Sequence, residues 1–131
     1  MCRLVLDSNI LISAFFWDGN ERDLLRRCKN GEYHLIESDF ILEEVEKVLQ
    51  VKFNVEYHLA RSFIREIFSF SEIVITKGRL DVIEEDPSDN RVLETAIYGK
   101  ANYLITGDKH LLKLHDYQGI IIIKSADLPN K

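Results

Sequence analysis

The stretch from residue 4 to residue 16, LVLDSNILISAFF, sets an aspartate between two strongly apolar runs. Leu4 to Leu6 read as a short buried strand, and the polar trio Asp7-Ser8-Asn9 interrupts it. Ser8 or Asn9 carries the side-chain oxygen that caps a helix, which the pattern predicts from about residue 10 to residue 16. An unpaired charge buried between such runs costs on the order of several kcal/mol. Asp7 therefore needs solvent or a partner of opposite charge. A strand that passes straight into a helix at an acidic residue is the element from which the rest of the chain is read.

Moving outward, residues 21–30 read as a helix with Leu24, Leu25 and Cys28 inward, ended by Gly31 in the expected position after a helix. Residues 33–37 alternate enough for a second strand. Ser38 then starts a helix to about Lys52, and residues 55–70 form another, with Leu59, Phe63, Ile64, Ile67 and Phe68 at helical spacing. Residues 72–76 give a third strand. After a polar connection over 77–85, Asp86-Pro87 opens a helix to about Lys100, with a cap before it and proline at its first position. Residues 103–106 form a fourth strand, a short helix follows around 111–114, and the run IIII at 120–123 is a strand covered on both faces. This alternation predicts one α/β domain over residues 1–131, with a mainly parallel sheet flanked by helices. Sites in such sheets lie beyond the carboxyl ends of the strands, where strand order reverses.

Composition narrows the function classes. A chain of 131 residues with 46% hydrophobic and 30% charged residues builds a real core, which excludes disorder. Cys2 and Cys28 form no C-x-x-C pair, which fits a reduced, cytoplasmic compartment and excludes sulfur ligation of a metal. No apolar run reaches the ~18 residues of a membrane span, and the N-terminus has no signal-peptide pattern, so no membrane association is expected. The net charge of −5 is wrong for a simple electrostatic nucleic-acid binder. A protein of this charge that handled phosphodiesters would need a cation to offset its own field.

The acids supply the place for one. Asp7 follows the first predicted strand and Asp108 the fourth, at the same edge of the sheet. In the helix SDFILEEVEKVL, Ile41, Leu42, Val45, Val48 and Leu49 form the apolar stripe. Glu44 falls at the stripe's edge, and Glu43 points away from it. In DPSDNRVLETAIYGKA, Asp89 heads the face that carries Val92, Leu93, Ala96 and Ile97, and it also suits the positive end of its helix. Taken singly, each acid has a plain structural reading: a cap, a turn residue or a surface salt bridge. Together, four carboxylates from four segments converge on one edge. Like charges raise one another's pKa, so such a cluster persists as carboxylates when a hard cation sits in it.

Taken in order, LVLDSNILISA, the Glu44 helix, DPSDNRVLETA and ANYLITGDKHLL resemble the PIN-domain nucleases, and among them the VapC-like toxin components of toxin–antitoxin pairs. The aspartate followed by Asn9, the 19-residue step from Asp89 to Asp108 and the ending Thr106-Gly107-Asp108 carry the likeness, which covers nearly the whole chain. The resemblance implies a three-layer fold with a five-stranded sheet in the order 3-2-1-4-5. It implies an acidic quartet of Asp7, Glu44, Asp89 and Asp108 that binds Mg2+ or Mn2+, supported by Asn9 and Thr106. It also implies hydrolysis of RNA, a cognate antitoxin protein and a homodimer. Asp86 and Glu94 are extra acids near Asp89 that would supply or orient a further ligand. His110 stands where relatives often have an acid. Without a His or Cys one helical turn away, it is expected at the surface rather than on a metal.

Arg22, Arg26, Arg27 and Lys29 on the second helix, and Lys109 and Lys113 after Asp108, are candidate phosphate contacts. Interleaved Glu21 and Asp23 make a solvated helix face the simpler reading of the first group. Phe16 and Trp17 are large aromatics that suit a base platform, an interface or the core. Two other functions fit parts of the chain. A non-catalytic module of the same fold would bind RNA or a partner without cutting. An aspartyl-phosphate protein would use Asp7 with Lys124, but it lacks the adjacent acid pair. No G-x-G-x-x-G follows the first strand, which excludes a dinucleotide enzyme, and no G-x-S-x-G supports a serine nucleophile.

Overall fold

A computed structural model describes residues 1–129. The elements run β1 (Arg3–Leu6), α1 (Ser8–Phe16), α2 (Asn20–Lys29), β2 (His34–Ser38), α3 (Asp39–Lys47), a π-helical turn (Val48–Lys52), α4 (Tyr57–Phe70) and β3 (Ser71–Val74). They continue through α5 (Pro87–Tyr98), β4 (Tyr103–Ile105), α6 (Lys109–Leu112), β5 (Asp116–Tyr117), β6 (Ile120–Ile123) and a 3-10 turn (Ser125–Asp127). The sheet order is β3-β2-β1-β4-β6-β5. All neighbouring pairs are parallel except β5 with β6.

β1 sits in the middle, with Val5 opposite Ile36 of β2 and Leu104 of β4. Leu4, Val5, Leu6, Ile36, Leu104 and Ile105 have no exposed surface. Since successive residues of a strand point to opposite faces, both faces of the sheet are covered, as β-branched and leucine-rich parallel strands require. Helix α5 closes tightly on this core. A side chain at Gly99, after its last turn, would meet Ile36 Cγ2 at 2.5 Å. Chain order reverses at β1, which leads to β2 on one side and has β4 on the other. The carboxyl ends of β1 and β4 are therefore adjacent, and Asp7 N donates to Ile105 O at 2.9 Å.

The expected five-strand order is present, with a sixth strand outside it. β5 is a two-residue partner of β6 in a hairpin whose turn uses left-handed Gln118 and Gly119. The helix predicted to continue to Lys52 changes to a π turn at Val48, closed by Phe53 N donating to Val48 O. On α4, Ile64 and Ile67 are buried, but Leu59 is 59% and Phe68 60% exposed. The apolar spacing of that helix is wider than the surface that covers it. No helix among the described residues is long and apolar enough to cross a membrane.

One buried group is out of keeping with the core. Glu37 on β2 has no exposed surface, and neither carboxyl oxygen has a partner of ordinary hydrogen-bond geometry. Burial pushes its pKa well above the usual value, and the nearby charge of Asp7 adds to the shift. The folded state thus favours the neutral form of Glu37. Its penalty is absent below the unfolded-state pKa and grows as pH rises above it. Glu37→Met, an apolar replacement of similar volume, is expected to raise the melting temperature, with a larger gain at pH 8 than at pH 5. Thermal melts at the two pH values check this, and a lower melting temperature at both would show that the carboxyl is paired.

Candidate active site

Asp7 itself, rather than Ser8 or Asn9, is the N-cap of α1. Its side chain accepts from Ser8 N at 2.7 Å, and its carbonyl accepts from Ile10 N and Leu11 N. The shift of one position follows from β1 ending at Leu6, which leaves Asp7 in the extended conformation that a cap needs. Its other oxygen accepts from Thr106 Oγ1 at 2.7 Å and from Asn9 Nδ2 at 3.5 Å. Thr106 Oγ1 in turn accepts from Asp108 N at 3.0 Å, and Asn9 Oδ1 accepts from Gly107 N at 3.3 Å. The two supporting residues thus stitch the end of β1 to the end of β4.

Asp108 caps α6, accepting from His110 N at 2.7 Å and Leu111 N at 3.3 Å. Asp86 caps α5 through Ser88 N and Ser88 Oγ, and Asp89 lies one turn into the same helix. Three helices therefore begin at one place, and their positive ends face the acids. Glu44 is half-buried on α3, near enough for its charge to raise the pKa of Asp7, while Glu43 is exposed.

The electrostatics show how unfavourable the bare cluster is. Asp7 is 4% exposed, and burial pushes its pKa up to about 6 against the hydrogen bonds of Thr106 and Ser8, with Glu44 and Asp108 adding to the rise. Asp89 is pushed up to about 8, first by burial and then by its shared hydrogen bond with, and the charge of, Asp108. Asp86 and Asp7 contribute further. The bare site thus favours the protonated form of Asp89, whose oxygens a cation would take over from the proton.

His110 belongs to this cluster, contrary to its expected surface position. Its Nδ1 is 3.7 Å from Asp108 Oδ1 and 3.9 Å from Asp89 Oδ2. Ligand atoms of Asp89, Asp108 and His110 all lie within 4.8 Å of one another. Asp89 Oδ2 and His110 Nδ1 are buried without hydrogen-bond partners. Two orphaned polar atoms facing a pair of carboxylates fit a cation ligated mainly by oxygen. Sequence reasoning looked for a helical His pair and so passed over a histidine that the first turn of α6 directs inward.

The two extra acids serve the scaffold. Asp86 caps α5 through one oxygen, and its charge raises the pKa of Asp89. Glu94 accepts four backbone N–H groups, from Lys77 and Gly78 on one oxygen and from Arg79 and Leu80 on the other. Its ligand capacity is spent on the connecting loop, not on a metal. The cations of α2 are also engaged: Arg22 donates to Ala14 O and Phe15 O, Arg26 pairs with Asp23 and Asp18, and Lys29 pairs with Glu66. Burial pushes the Cys28 thiol up to about 12, far from a nucleophile.

The family model described as PIN domain matches residues 3–110. Among solved structures, VapBC2 from Rickettsia felis bound to a DNA fragment from their promoter includes a chain with the same fold. The match has a TM-score of 0.63 at 16% identity and covers 92% of this chain and 96% of that one. No curated protein matches the chain.

Proposed function

This chain belongs to the PIN domain family, and from that membership we propose that it is a metal-dependent ribonuclease acting as the toxin of a toxin–antitoxin pair. The observation that carries the reading is the buried, unpartnered Oδ2 of Asp89 beside Asp108 and His110, with Asp7 held next to them by Thr106. Asp89 and Asp108 would hold Mg2+ or Mn2+, with Asp7 and Glu44 as further ligands or as groups that orient water. When bound, such an ion activates water and offsets the charge of the phosphodiester. The protein's part is to fix three carboxylates at helix starts, so that none must reorganise as charge develops. Asn9 and Thr106 hold Asp7 to the end of β4. The antitoxin partner is supported by the similar fold in a VapBC2 complex, and the homodimer by the family resemblance alone. A cytoplasmic location is consistent with the lack of a membrane-crossing helix among the described residues.

The test is a metal titration of RNA cleavage. Purified protein with Mg2+ or Mn2+ is expected to cut single-stranded or structured RNA, and a chelator is expected to stop it. Metal binding without cleavage across a broad RNA panel would leave a module that binds RNA or a partner without cutting. Phosphate trapped covalently on Asp7 would overturn the nuclease reading in favour of phosphoryl transfer.

A further inference from the structure

Along α1, Asn9, Ile12, Ser13 and Phe16 share one side, and they line a cavity of about 510 Å³ together with Trp17, Val48, Lys52 and Phe53. Asn9 at one end hydrogen-bonds Asp7. Phe16 lies seven residues further on, roughly 10 Å along the helix at 1.5 Å per residue. The far wall is aromatic: the Phe16 and Phe53 rings are 4.9 Å apart and the Phe16 and Trp17 rings 6.5 Å apart. Trp17 is 69% and Phe53 45% exposed. Lys52 Nζ lies 5.6 Å from the Phe53 ring centre, which places a cation at the rim. The π turn ends at this wall, with Lys52 as its last residue and Phe53 beside Phe16. Single π turns of this kind occur often at functional sites.

We infer that the cavity lined by Phe16, Trp17 and Phe53 is a subsite for an unpaired nucleobase of the RNA, next to the scissile phosphate held at the acidic cluster. This rests on the nuclease reading and adds a substrate requirement to it: a single-stranded base within short reach of the cut. Asn9, which donates to Asp7, lines the cavity at its end nearest the acidic site. The cavity's aromatic faces stack any base without reading its sequence, and Lys52 meets the adjoining phosphate. Stacking contributes affinity whatever the chain's net charge of −5.

Trp17 is the single tryptophan, so its fluorescence reads the subsite directly. Calcium-loaded protein titrated with a short single-stranded oligoribonucleotide is expected to show quenching, and the same oligonucleotide with abasic positions is expected to leave the emission unchanged. In Mg2+-supported cleavage, Trp17→Ala and Phe53→Ala are expected to raise KM about tenfold with little change in kcat. Both residues are exposed enough for truncation to spare the core. Equal quenching by the base-bearing and abasic strands, or an unchanged KM, would overturn the subsite while leaving the nuclease standing. Emission that shifts with protein concentration alone and ignores the oligonucleotide would also overturn it, and would assign the face to a second copy of the chain. If the wild type cuts no RNA, the nuclease reading fails, yet base-dependent quenching would still show the subsite and its absence would still remove it.

Discussion

Asp7→Asn is expected to make the metal-free protein more stable at pH 8 while reducing metal-dependent cleavage by about a thousandfold or more, since a ligand of the ion contributes several kcal/mol. The two effects have one cause. In the folded protein the pKa of Asp7 is about 6, raised from 3.8. The carboxylate is therefore no burden below about pH 4, where it is protonated in both states. It becomes one as pH rises above about 4, where only the unfolded chain ionises freely, and the penalty is fully present above about 6. Each unit of such a shift is worth about 1.4 kcal/mol, so asparagine removes a penalty on the order of 2–3 kcal/mol at pH 8. Asparagine keeps the capping oxygen for Ser8 N, but its amide replaces the oxygen that accepts from Thr106 and Asn9, which offsets part of that gain. Thermal melts at pH 5 and pH 8, with and without Mg2+, separate the contributions. The wild type without metal should lose stability between the two pH values and regain it with Mg2+, and Asp7→Asn should lose less and regain less, the remainder coming from Asp89 and Glu37. A variant that cleaves at the wild-type rate would remove Asp7 from the site.

Glu94→Ala is expected to cost about 3 kcal/mol or more, because it leaves four backbone N–H groups of residues 77–80 without their acceptor. This part of the connection has no regular secondary structure. It is held to α5 by Glu94 and, further on, by Asn90, which accepts from Val82 N and Ile83 N and donates to Ile83 O. Burial alone would raise the pKa of Glu94, but the four amides together hold it below the usual range. Its contribution is therefore present above the unfolded-state value of 4.5 and lost as pH falls through the lower folded-state value. Amide hydrogen exchange should show Lys77 to Leu80 protected in the wild type, open in Glu94→Ala and partly protected in Glu94→Gln. Unchanged protection in Glu94→Ala would mean that the loop is held by other contacts.

The frame of the molecule was legible because its strands are short apolar runs between amphipathic helices, a pattern only a covered parallel sheet satisfies. Asp7 and Asp108 could be brought together because parallel strands end at the same edge. Asp89 could be added because it leads the inward face of its helix. What escaped the sequence depended on contacts between segments. His110 joins the cluster only through the cap that Asp108 makes for α6. Glu94 and Asp89 look alike as inward acids of one helix, and only the path of the 77–80 loop separates their roles. Glu37 sits where alternation allows a polar residue, and nothing local shows that both faces of β2 are sealed. Leu59 and Phe68 have helical spacing, but periodicity does not say what covers a stripe.

The hydrogen bond from Thr106 to Asp7 joins residues separated by 99 positions. Closing so long a span waits on the chain between, and contacts of this range form late in folding. A growing chain that has made β1, β2 and α3 already carries Asp7 and Glu44 but has no place to organise them. The acidic cluster is complete only when β4 docks against β1 and brings Thr106 and Asp108 with it. On the nuclease reading, the unfinished polypeptide is then inert until β4 is in place.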